Sequence, residues 1–87
     1  MHAVVINVTF NDRAAATGEL SGLVPQVSSA PGFVSGYWIA LSEDKGTSVV
    51  VFDSEDAANG LLTAMGAGPP MSVTVDSAEV GEVMAHA

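Results

Sequence analysis

The chain has no cysteine, which excludes disulfides, thiolate metal sites and a thiol nucleophile. It is nearly without positive charge: Arg13 and Lys45 stand against ten acidic residues, for a net charge of −8. Binding a phosphate backbone depends on Lys and Arg displacing counterions, so nucleic acid is not an expected partner. The same shortage disfavours an anionic membrane surface. Long apolar runs are missing too. Nothing approaches the ~20 residues of a membrane span. The opening "MHAVVINVTF" has no basic segment ahead of its apolar stretch, which Asn7 and Thr9 interrupt. A soluble cytoplasmic protein is the expectation, with the acidity serving solubility. Aromatics are few, yet Phe33, Tyr37 and Trp38 fall in one short stretch behind a Pro-Gly turn.

What is abundant is small and medium-sized apolar side chains. Hydrophobic residues make up 48% of the 87 residues and charged ones only 14%. This length accommodates one domain, residues 1–87. A domain this small hides only about 60% of the surface its unfolded chain exposes. Much apolar surface is left over, and a second subunit is the natural place for it.

The periodicities give the order of elements. "HAVVINVTF" (His2 to Phe10) is β-branched and alternates, which predicts a strand. Val4, Ile6, Val8 and Phe10 share a wholly apolar face; Ala3, Val5, Asn7 and Thr9 share a mixed one. Asn11 or Asp12 is suited to cap a helix whose stripe is Ala16, Leu20, Leu23, Val24 and Val27. Pro25 should end it near Val24. A second strand, Phe33 to Leu41, puts Phe33, Ser35, Tyr37, Ile39 and Leu41 on one side and Val34, Gly36, Trp38 and Ala40 on the other. After the hairpin loop "SEDKG", Thr47 to Asp53 forms the third strand. A second helix is capped by Asp53 or Ser54, carries Ala58, Leu61, Leu62 and Met65 as its stripe, and stops at Gly66 before the loop "GAGPP". "MSVTVDSAEVGEVMAHA" closes the chain as strand, with a bulge or break expected near Gly81.

Strand, helix, strand, strand, helix, strand is the ferredoxin-like βαββαβ order of an α+β fold with a four-stranded antiparallel sheet. Both helices cover one sheet face. The strands are apolar or mixed on both faces, since Val49 and Val51 oppose Val50 and Phe52. The uncovered face therefore needs a partner, and a twofold sheet-to-sheet homodimer supplies one. Phe33, Trp38, Val49 and Val51 are the candidates for that interface.

The "PGF" turn opening a strand, the "VVVFDSEDAA" strand running into a capped helix, and the closing "AEVGEV" together resemble the dimeric α+β barrel superfamily, which includes the antibiotic-biosynthesis monooxygenase-like domains. The resemblance implies a homodimer whose two sheets close into a barrel, with a helix–sheet cavity in each subunit. Members include cofactor-independent oxygenases, haem degraders and isomerases. Haem degraders of this group use an Asn in the first strand, matched here by Asn7. They also need a Trp where this chain has Phe52, and a His in the second helix, which has none between Ser54 and Met65. Quinone-forming members bind a phenol with cavity Asn, Trp and Tyr residues, and Asn7, Tyr37 and Trp38 are of those types. Adjacent strand residues point to opposite faces, so at most one of Tyr37 and Trp38 joins Asn7. The ligand-cavity candidates are thus Asn7, Tyr37, Trp38 and Phe52.

Other constellations are weak. His2 and His86 stand on strands expected to be neighbours, but no third metal ligand accompanies them, so no metal is expected. "GAGPP" lacks the Lys of a phosphate loop. Glu55 and Asp56 are helix-start charges, and Glu79 and Glu82 exposed strand positions. No cofactor is called for. The leading expectation is a non-enzymatic homodimer, structural or binding a small apolar ligand. The alternative is a cofactor-free monooxygenase-like enzyme acting on an aromatic or phenolic substrate. A regulatory module of the ACT type shares the element order but normally comes fused to an enzyme.

Overall fold

A computed structural model of the chain describes residues 1–67 and 72–87. Its elements are β1 (His2–Phe10), α1 (Arg13–Ser28), β2 (Phe33–Ala40), β3 (Lys45–Phe52), α2 (Glu55–Ala67) and β4 (Val73–Glu82). The strands form one antiparallel sheet in the order β2-β3-β1-β4, the ferredoxin-like arrangement expected. The side chain of Met65 and residues 68–70 of the "GAGPP" loop lie outside the described residues.

The wholly apolar face of β1 meets the helices. Val4 and Ile6 join Val50, Phe52, Val27 and Ala58 in the buried core. Phe52 is fully buried, and its ring meets that of Phe33 edge to face at 6.2 Å. Helix α2 packs over β1, β3 and β4, whereas α1 lies chiefly over β2. Asp12 caps α1 by accepting a hydrogen bond from the Ala15 N–H at 3.1 Å, and Ser54 caps α2 through the Ala57 N–H at 3.2 Å.

Several boundaries differ from expectation: β2 and β3 each end one residue early, at Ala40 and Phe52, α2 runs past Gly66 to Ala67, and three further differences are larger. Helix α1 runs through Pro25 to Ser28. The Pro25 ring is exposed on the outer side, and its carbonyl accepts from the Ser29 N–H and from the Ser28 and Ser29 hydroxyls. Those bonds tie down the last turn and offset the donor that proline removes. Strand β3 begins at Lys45, because the Lys45 carbonyl accepts from Leu41 and Ser42 and pulls the turn inward. Strand β4 is continuous to Glu82, and its irregularity lies at Asp76 rather than near Gly81.

Two irregularities decide which side chains share a face. Between β2 and β3, Phe33 pairs with Phe52 but Ser35 with Val51, so Val34 is an extra residue. Phe33 is thereby turned onto the helix face with Trp38. This corrects the simple alternation that groups it with Tyr37. Between β1 and β4, Asn7 pairs with Ser77 and Val8 with Val75, so Asp76 is the extra residue. The apolar positions change phase there, from Val73 and Val75 to Ala78 and Val80, and all four stay on the helix side.

The turn before β2 depends on Gly32, which has φ of +82°. A Cβ there would lie 2.5 Å from Asp53 Oδ1 and 2.9 Å from Ala57 Cβ. Gly18 and Gly22 of α1 are the opposite case, with nothing within 4 Å of a built Cβ. Gly32→Ala is expected to lower stability by about 1–3 kcal/mol. Gly18→Ala and Gly22→Ala should each raise it by about 0.5–1 kcal/mol through helix propensity and a less disordered unfolded chain. Urea melts of the three variants check both signs.

Candidate functional site

Because α1 sits over β2 and α2 over the rest of the sheet, the helices leave a gap between them. The result is a cleft of about 980 Å³ floored by the sheet. That lies at the upper end of the usual range for small-molecule sites. Ile6, Val8, Val50 and Trp38 form the floor, Leu20 and Leu23 one wall, and Leu61 the other. The facing residues of α2 explain the width. Ala57, Gly60 and Ala64 recur at helical spacing and are too small to reach across. On α1, Leu20, Leu23 and Val24 remain half-buried, as expected of a wall without close packing.

Polar groups stand on the α1 side of the cleft, where Thr17 and Gln26 lie, at its rim and on its floor. At the rim stand Arg13, Glu19 and Asp56. Arg13 is engaged with Glu43 at 3.2 Å, and the Glu19 carboxylate accepts from the Ser72 hydroxyl, joining α1 to the start of β4. On the floor, Ser48 is buried and pairs across the strands with Trp38. Gly36 lies under the Trp38 ring. A Cβ at Gly36 would come within 3.0 Å of Trp38 Cη2 and Cζ3, so the glycine gives room to the indole itself.

Of the four cavity candidates, Trp38 is on the cleft floor. Phe52 is fully buried in the core beneath. Asn7 and Tyr37 lie on the opposite, open face of the sheet, which corrects their assignment to the helix–sheet cavity. Asn7 Nδ2 donates there to Ser77 Oγ at 3.0 Å, and Tyr37 is 62% exposed. The phase of β1 accounts for this. Val4, Ile6 and Val8 bury against the helices, so Asn7 between them must face away. Among the interface candidates, Val49 and Val51 lie on the open face, whereas Phe33 and Trp38 lie on the helix face.

The open face is divided. One part is apolar: Tyr37, Val49 and Val5 form a cross-strand row, flanked by Ile39 and by Val51. The other part is polar. Thr9 Oγ1 donates to Asp76 Oδ2 at 2.7 Å, and Lys45 Nζ donates to Thr9 Oγ1 at 2.7 Å. The extra residue in β4 aims Asp76 into this cluster. His2 is placed on the helix side, with Nε2 3.4 Å from Glu55 Oε2, while His86 is in the exposed tail beyond β4. Among the described residues no cluster of three or more metal-ligating side chains is found, and no helix is long and apolar enough to cross a membrane.

Ser48 and Glu19 are the cleft residues that sequence reasoning passed over. The signal for Ser48 is present in "TSVVVF", where a lone hydroxyl shares the face of Val50 and Phe52. Glu19 carries no such signal, since a glutamate on an amphipathic helix reads as a solvated one.

No family model and no curated protein matches the chain. Solved structures do. The fold superposes on HapK from Hahella chejuensis with a TM-score of 0.64 at 14% identity, covering 100% of this chain and 96% of that one. It superposes on the haem degrader MhuD from Mycobacterium tuberculosis, solved with two haems bound in its active site, with a TM-score of 0.63 at 23% identity, covering 98% of each chain. Both are similar to this chain over its full length, and at these identities the likeness establishes the ferredoxin-like α+β fold.

Proposed function

We propose that the chain is one subunit of a homodimeric α+β barrel that binds a small apolar or aromatic molecule in the cleft between helices and sheet. The observation that carries this reading is the cleft itself, about 980 Å³ of mostly apolar lining with an aromatic on its floor. A space of that size lined by leucines and valines is costly to leave to water and suited to an apolar guest. The apolar part of the open face supports the second copy.

Two features weigh against an oxygenase of the quinone-forming kind that the sequence resemblance implies. Asn7 is across the sheet from the cleft, and no His is among the described residues that line it to act as a base. Haem, which the fold neighbour MhuD holds, fits the residues poorly. Iron in haem is held by His, Cys, Met or Tyr, and the described lining contains none of them. Its carboxylates would also meet a rim bearing Glu19 and Asp56, where Arg13 is already paired.

Gly60 allows a clean test. It lines the cleft, and a Cβ built on it meets nothing within 4 Å, so a larger side chain enters open space. The uncharged fluorophore N-phenyl-1-naphthylamine is expected to brighten on binding the wild-type protein. Gly60→Phe should weaken that binding at least ~10-fold while thermal stability holds or rises, since glycine is the poorer helix former. Undiminished binding by Gly60→Phe would remove the cleft as the site.

A further inference from the structure

We infer that the cleft selects an uncharged ligand carrying one hydrogen-bonding oxygen, held on the sheet floor by Ser48 Oγ and Trp38 Nε1. The inference rests on the cleft being a ligand site and specifies what that site takes. Ser48 and Trp38 are direct cross-strand partners on the helix face. Side chains so placed have Cβ atoms about 4.5–5.5 Å apart, close enough to reach one ligand atom together. Both line the cleft. Among the described residues neither makes a hydrogen bond within the protein, in contrast to neighbouring Thr47, whose hydroxyl donates to the Ile6 carbonyl at 3.2 Å. Ser48 is only 7% exposed. Its hydroxyl opens to the cleft, since the buried side-chain polar atom without a partner among the described residues is His2 Nδ1, so a ligand oxygen there takes the place of water. An apolar floor of Ile6, Val8 and Val50 surrounds the pair, and the hydroxyls of the lining residues Thr17 and Thr47 already donate to carbonyls at 2.9 and 3.2 Å, which leaves Gln26 on α1 as the other uncharged side chain that could meet a ligand oxygen.

The charge arrangement excludes an anion. Of the two cations in the chain, Lys45 is on the far face of the sheet with Thr9 and Asp76, and Arg13 at the rim is paired with Glu43. Glu19 and Asp56 stand at the rim, and the chain as a whole carries −8. A carboxylate entering the cleft would lose part of its water and find no unpaired positive charge there among the described residues, since the one cation at the rim, Arg13, is engaged with Glu43. An alcohol, phenol or ketone loses far less, and the Ser48 hydroxyl both donates and accepts.

Competition against bound N-phenyl-1-naphthylamine tests this with three probes of one shape: naphthalene, 1-naphthol and 1-naphthoate, at pH 7. The expected result is that 1-naphthol displaces the fluorophore at about five-fold lower concentration than naphthalene, the yield of a single net hydrogen bond. 1-Naphthoate should be at least ~10-fold weaker than 1-naphthol. Ser48→Ala and Trp38→Phe, each checked for an unchanged circular-dichroism melt, should shrink the naphthol preference, and the double variant should erase it. Equal displacement by naphthalene and naphthol in the wild-type protein would overturn the anchor and leave the cleft as a purely apolar site. A preference that survives in the double variant would overturn the assignment to these two residues. Tight binding of 1-naphthoate would overturn the charge selection. If the fluorophore itself fails to bind, the ligand-site reading falls and this inference with it.

Discussion

Phe52→Ala is expected to cost about 3–5 kcal/mol, the range for removing a buried aromatic from a packed core. In a chain of 87 residues, stability of about 0.05–0.15 kcal/mol per residue amounts to roughly 4–13 kcal/mol in total. One substitution therefore removes a large share, and in a marginal background the domain unfolds. The reason is position. Phe52 is fully buried at the end of β3, with the Phe33 ring against it and Val4, Val50 and Ala58 in the same cluster. The cleft deprives this core of filling on its α1 side, so neighbours have little left to collapse with. For a domain this size each kcal/mol moves the melting temperature by about 4–8 °C. Calorimetry should show Phe52→Ala melting far below the wild-type protein, with Phe52→Leu in between. Asn7→Ala is the internal contrast. Its bond to Ser77 is solvent-exposed, and its removal should change stability by no more than about 0.5 kcal/mol. If Asn7→Ala proves the more damaging of the two, the face assignment of β1 is wrong.

That contrast marks the limit of what is legible in the residues. The alternation of Val4, Ile6, Val8 and Phe10 identifies a strand and a buried face, because a side-chain period of two leaves no other arrangement. Caps at Asp12 and Ser54 are legible for a similar reason: an oxygen two or three bonds from Cα reaches the free N–H groups of a helix start. The faces of β2 and β4 are harder. A single extra residue, Val34 or Asp76, turns everything beyond it over, and neither residue type announces this. In β4 the three-residue spacing of Val75 and Ala78 holds the clue, whereas the spacing of Val80 and Val83 draws attention to Gly81. The cleft leaves a fainter trace. Ala57, Gly60 and Ala64 on one side of α2 are too small to close a gap, but small residues on a helix equally well signal close packing. Only the placement of α1 over β2 decides between the two, and that is a tertiary fact. Asn7 shows the cost of reasoning from residue type alone. Its residue type and strand fit what the resemblance implies, yet the pleat sends it to the other face.

The open face carries the remaining large effect. On the homodimer reading, light scattering at micromolar concentration should report twice the 8.8 kDa mass of the chain. Val49→Glu should reduce that to the mass of a single chain. Val49 is flanked by Tyr37 on β2 and by Val5 on β1, so it sits at the middle of the apolar row. A twofold sheet-to-sheet contact brings that row against its own copy, and two new carboxylates would be desolvated together. The existing charge makes matters worse, because each chain already carries −8 and has no free cation on this patch to answer them. Lys45 is held by Asp76 and Thr9 in the polar part of the face. Ala14→Glu supplies the control. It adds the same charge at an exposed position of α1, away from the sheet, and should leave the dimer intact. A monomeric mass for the wild-type protein would dispose of the homodimer outright. Loss of the dimer in both variants would show that repulsion between whole chains, and not the apolar row, controls association. Loss in Val49→Glu alone ties the second copy to the face that the helices leave bare, and with it the leftover apolar surface that so short and so hydrophobic a chain must hide.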